Sequence, residues 1–69
     1  MSAAQKIKMV LIAKGVTMTD LANLLGTSVG NLSNKMRRDN FSEKDLDEIA
    51  KALDATVEIN FTLKDGRKF

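Results

Sequence analysis

Between Thr19 and Arg38 the chain reads TDLANLLGTSVGNLSNKMRR, two short helical patterns separated by Gly26, Thr27 and Ser28 and closed by a double arginine. No other feature constrains the fold as much, because the second pattern has so little apolar surface with which to anchor itself. Leu21, Ala22, Leu24 and Leu25 give the first pattern an apolar face, Thr17 with Asp20 three residues on is a capping-box signal at its start, and Gly26 ends it. Thr27 or Ser28 can cap the second, expected from about Val29 to Arg37, since either hydroxyl accepts from the orphan N–H groups of a first turn. Its apolar positions are Leu32 and Met36, an i, i+4 pair, with Val29 one turn earlier. A stripe that narrow leaves most of the helix facing outward. Gly30 costs such a helix about 1 kcal/mol relative to Ala, and close approach of another molecule to the backbone is a reason to tolerate it.

The flanks predict two more helices. Ala3, Ile7, Val10, Leu11 and Lys14 recur at helical spacing from about Ser2, with Gly15 at the C-cap position. Downstream, Ser42 with Asp45 repeats the capping box, acids crowd the first turn, and Leu46, Ile49, Ala50 and Leu53 form the stripe to be buried. Phe41, just before the cap, can staple against Leu46. This fourth helix, acidic on its outside, reads as structural.

From Ala55 the period changes. Val57, Ile59, Phe61 and Leu63 alternate with Thr56, Glu58, Asn60 and Thr62, the pattern of a half-buried β-strand. Asp65-Gly66 then signals a two-residue hairpin turn, with only Lys68 and Phe69 beyond Arg67 for a return strand. An unpaired strand leaves its backbone groups unsatisfied. Pairing with the same strand of a second copy across a two-fold axis would satisfy both, with Val57, Ile59, Phe61 and Leu63 at the dimer interface. The alternative is that the segment folds back as a short hairpin or lies on the helices as an edge.

Charge is distributed unevenly. Residues 1–38 carry Lys6, Lys8, Lys14, Lys35, Arg37 and Arg38 against Asp20 alone, a balance of +5, whereas residues 39–69 carry five basic and eight acidic side chains, a balance of −3. The first half suits a polyanion and the second does not. With 69 residues and neither Cys nor His, the chain has room for one domain and lacks the usual general base, thiolate ligands and disulfides. No nucleophile or phosphate-loop motif appears, so no catalytic residue, metal site or cofactor is expected and an enzyme is disfavoured. The longest apolar run, Met9 to Ala13, is too short to span a bilayer; no membrane association is expected, and the default location is cytoplasmic.

A helix ended by a glycine turn, followed by a second helix with an outward polar face and basic residues at its end, is the sequence form of a helix-turn-helix unit. In that geometry the second helix lies in the DNA major groove, and the apolar surface it lacks is where the duplex goes.

These residues carry a family resemblance. KGVTMTDLANLLGTSVGNLSNKM, with its Gly-ended first helix, Thr cap, Leu-Ala, Leu-Gly, second cap and apolar residue in the following helix, resembles the Cro and phage-repressor type helix-turn-helix family. DLDEIAKALDATV resembles the helix that comes next there. The match covers residues 5 to 54, about three quarters of the chain. It implies a mainly α fold: a four-helix, lambda-repressor-like helix-turn-helix domain over residues 1–54, with residues 55–69 as a tail of the same domain. The tail is similar to that of Cro-like members that dimerise through a C-terminal strand.

The resemblance also implies roles. Leu21, Ala22, Leu25 and Leu32 fall in the motif's core and Gly26 in its turn. Ser28, Val29, Gly30 and Asn34 fall where family members meet bases, with Asn31 and Ser33 near the backbone or groove edge; these six are the base-reading candidates. Thr17, Thr27, Lys35, Arg37, Arg38 and Asn40 are the phosphate candidates. Met18 stands where the family often has a phosphate-contacting Gln. Val29 and Gly30 have no side-chain hydrogen bond to offer, which leaves Asn34, Asn31 and Ser33 as readers, with Val29 suited to a thymine methyl. Lys35 stands where many members are apolar, with Met36 in its place. Arg37 and Arg38 also fit a solvated helix end that complements the dipole.

The function implied is a nucleoid-associated regulator of prokaryotic or phage type, a repressor more often than an activator, which binds double-stranded DNA as a homodimer. The alternative is an antitoxin-like or other interaction module whose tail or fourth helix meets a partner protein.

Overall fold

A computed structural model describes all 69 residues and contains four helices, α1 (Ala3–Lys14), α2 (Met18–Leu25), α3 (Val29–Arg38) and α4 (Glu43–Ala52). Each begins where a short polar side chain can accept from the orphan N–H groups of a first turn. Thr17 Oγ1 accepts from the Asp20 N–H at 3.1 Å while Asp20 accepts from the Thr17 N–H at 3.2 Å. Ser42 and Asp45 repeat that exchange at 3.0 Å in both directions. Ser2 and Gln5 form a third box at α1, whose Ser-x-x-Gln spacing is the ordinary capping-box signature and adds to the two expected above. Of the two possible caps for α3, Ser28 is the one used.

One core joins the four helices: Ala4, Ile7 and Leu11 of α1, Leu21 and Ala22 of α2, Leu32 and Met36 of α3, and Ile49 and Leu53 at the end of α4. Leu21 sits at its centre with no exposed surface. Phe41 and Leu46 both pack against this core half-buried. Leu24, assigned to the buried face of α2, is instead 61% exposed. At about 100° per residue it lies roughly 100° round the helix from the mean direction of Leu21, Ala22 and Leu25, too far to reach the core.

The tail departs further from expectation. Residues 57–63 form no strand; Val57, Leu63 and Ile59 keep 36%, 41% and 49% of their surface exposed, and Phe61 72%, so Phe61 is the one of the four that the single chain leaves largely uncovered. The pairing that exists is one antiparallel bridge, Thr62 with Lys68, in a short hairpin. Phe61 and Phe69 exchange both N–H···O bonds at 2.7 and 2.8 Å, and the Leu63 N–H donates to the Arg67 carbonyl at 2.8 Å. The connection is longer than the two-residue turn expected: the Gly66 N–H closes on the Leu63 carbonyl and Gly66 takes φ 92°, the pattern of a three-residue loop with a left-handed third position. Six residues after Leu63 cannot pair with the whole of 57–63, so residues 56–60 run without a ladder.

Candidate nucleic-acid interface

Helix α3 is held to the protein by two side chains. Leu32 and Met36 are buried, whereas Val29, Gly30, Asn31, Ser33, Asn34, Lys35, Arg37 and Arg38 are all exposed. At about 100° per residue, Asn34 points roughly opposite the mean direction of Leu32 and Met36, with Gly30 and Arg38 flanking it and Arg37 and Asn31 next. Ser33 and Lys35 lie on the two sides of the helix. Val29 turns toward the core side, and its 43% exposure comes from its place in the first turn. The face away from the core is therefore two amides, a glycine and two guanidinium groups, with no acidic residue between Val29 and Arg38.

Gly30 has no structural reason to be glycine. Its φ is not left-handed, and a Cβ built there meets only Ser28 Oγ, at 3.9 Å. The fold therefore forgoes the helix stability an alanine would supply and keeps bare backbone on the outward face. Gly26 is different: it takes φ 70° in the turn between α2 and α3, a conformation that costs L side chains and that sets the angle at which α3 leaves α2.

Beside this face runs a polar cleft of about 380 Å³ lined by Thr27, Asn31, Asn34, Lys35, Arg38 and Asn40. Six of the residues singled out from sequence are thus brought together, and no hydrophobic side chain lines the cleft. Thr17 and Ser28 are employed elsewhere. Thr17 Oγ1 caps α2, and Ser28 Oγ accepts from the Asn31 N–H at 3.1 Å, which leaves the Ser28 hydroxyl hydrogen as what it has to donate.

Two of the basic side chains have partners. Lys35 Nζ lies 2.9 Å from Asp45 Oδ1, so its charge is turned toward the start of α4. The Asp45 carboxyl is held below its ordinary value of 3.8, first by the Ser42 backbone N–H and then by the Lys35 ammonium group. Arg37 Nη2 donates to Asn34 Oδ1 at 2.9 Å. Sequence reading found these residues but not their pairings, although the i, i+3 spacing of Asn34 and Arg37 was a usable signal. It also missed Asp39, which ends α3 in the left-handed region at φ 52° and whose Oδ1 accepts from the Ala4 N–H at 2.8 Å.

This arrangement suits a polyanion with readable edges: fixed donors on a convex helix, basic groups at its end, and a structural core that stays behind it. A family model described as the Cro/C1-type HTH DNA-binding domain matches residues 6–58, from the first turn of α1 into the tail. Neither a curated protein nor a solved structure matches the chain.

Proposed function

The chain belongs to the Cro/C1-type helix-turn-helix DNA-binding family, and from that premise we propose that it is a sequence-specific transcriptional repressor acting as a homodimer on a pseudo-palindromic operator. Residues 1–54 serve the duplex, with α3 in the major groove, and residues 55–69 join the two protomers. The half-sites lie about one helical turn, roughly 34 Å, apart. Occupancy of the operator blocks polymerase, in a cytoplasmic, nucleoid-associated setting. No helix is long and apolar enough to cross a membrane.

The observation that carries this reading is the outward face of α3, where Gly30 leaves the backbone bare without any need of the fold and Asn34 stands at the pole opposite the core. Asn34, Asn31 and Ser33 supply the base contacts and the hydroxyl of Ser28 a further donor. Arg37, Arg38, Asn40, Thr27 and Thr17 supply phosphate contacts, which contribute most of the affinity and its salt dependence. Lys35, paired with Asp45, reaches a phosphate only by giving up that partner. Selection from a random duplex pool tests the whole reading, since a dimeric reader enriches an inverted repeat.

The exposed apolar tail supports assembly with another chain. Phe61 and Phe69, paired in the hairpin, are 72% and 69% exposed, and Ile59 before them 49%, an apolar surface that suits a protein contact. A second copy is the occupant proposed here; a partner protein, as in an antitoxin-like module, is the alternative that the same surface supports.

A further inference from the structure

The guanidinium of Arg37 bonds to the amide of Asn34 with Nη2 to Oδ1 at 2.9 Å. The direction of that bond is fixed by chemistry. Guanidinium has five N–H donors and no acceptor, so the amide atom facing it can only be the carbonyl oxygen, and the Asn34 NH₂ is the end left over. Asn34 is also the residue of α3 that points most directly away from Leu32 and Met36, and it is exposed, so its NH₂ is left on the outward side of the helix with no partner in the protein.

An asparagine reads adenine by using both ends at once, accepting from N6 and donating to N7, whereas guanine offers two acceptors, N7 and O6, on the same edge. The oxygen keeps a second lone pair, but a guanidinium that draws it back along the helix takes it out of line with an adenine N6 while the two N–H hydrogens remain for acceptors on the base edge. We propose that Arg37 is a positioning residue that holds the Asn34 oxygen and thereby makes Asn34 a reader of guanine in preference to adenine. The proposal rests on α3 being the major-groove helix.

The bond contributes little in the free protein, where it is an exposed i, i+3 pair. In the interface water is excluded and a charge-assisted bond strengthens. Arg37 keeps four further donors, and a phosphate held by them would clamp the guanidinium and, through it, the amide. One arginine in this way couples backbone binding to base choice.

The test compares binding-site selections for the wild type, Asn34→Ala and Arg37→Met, all at exposed positions. The base pair read by Asn34 is the one whose preference Asn34→Ala flattens. At that position the wild type favours guanine over adenine by at least about fivefold, and Arg37→Met moves the ratio toward adenine while weakening binding uniformly at every other position. A wild-type preference for adenine, or a ratio unchanged by Arg37→Met, overturns the positioning role and leaves the operator reading intact. So does an operator in which no position responds to Asn34→Ala. Failure of the wild type to select any sequence overturns both.

Discussion

The carboxylate of Asp39, just past the end of α3, accepts the backbone N–H of Ala4 in the first turn of α1 at 2.8 Å. A residue 35 positions away in sequence thus satisfies one of the orphan donors of α1 and places a negative charge at the positive end of its dipole. The same residue turns the chain out of α3 in the left-handed region, so the end of α3 is pinned to the start of the fold. Replacing Asp39 with Ala should cost about 1 to 2 kcal/mol, read as a lower urea midpoint at unchanged slope. Asp39→Asn, which keeps an acceptor and tolerates the backbone, should lose less. Equal midpoints for wild type and alanine variant would show the contact to be idle.

Gly30 separates stability from function. Because a Cβ there meets nothing nearer than Ser28 Oγ at 3.9 Å, Gly30→Ala should stabilise the protein by about 0.5 to 1 kcal/mol. It should also weaken specific binding, since the methyl group stands on the face proposed to meet the groove. A variant that is both more stable and an equally good DNA binder would remove Gly30 from the interface.

Asp45 ties acid stability to the position of α3. Its folded-state pKa lies below the unfolded value through the Ser42 N–H and then Lys35. The stabilisation it gives is therefore complete above the ordinary carboxylate value of 3.8 and is lost as pH falls through the lower folded-state value. Asp45→Asn should lower the melting temperature at pH 7, and the gap from wild type should narrow in strong acid. A gap that stays constant from pH 7 to pH 2 would assign the effect to the cap geometry alone.

Phe61 tests the assembly. Its side chain is 72% exposed in the single chain and belongs to the apolar tail face proposed to meet a second copy. Phe61→Asp should shift the protein to a monomer in sedimentation and weaken operator binding, with the helical core unchanged by circular dichroism. A variant that sediments as the wild type does would move the interface elsewhere.

The helices were legible because their signals are local. Thr17 with Asp20, Ser42 with Asp45, and Gly26 each act within a few residues, and the apolar spacing of Leu32 and Met36 already fixed which way α3 faces. Of the missed features, the Ser2–Gln5 box and the Asn34–Arg37 bond are local, three residues apart, and the others join distant parts of the chain or depend on a partner. Asp39 to Ala4 and Lys35 to Asp45 link separate helices, and no periodicity encodes such a pair. The tail shows the converse: Val57 to Leu63 alternate as a strand does, yet alternation describes side chains and cannot supply the backbone partner a ladder requires. Leu24 fails for a smaller reason, since apolar character placed it on a face that its angle round α2 does not reach.

The most direct measurement is selection from a random duplex library at moderate salt, followed by the affinity of the selected and a random duplex across a salt series. The account predicts an enriched inverted repeat with half-sites about one helical turn apart. Both duplexes should show a steep loss of affinity with salt, with a gap of at least about a thousandfold between them. No enrichment, with equally weak binding to both duplexes, would contradict it and would mean that the outward face of α3 meets something other than DNA.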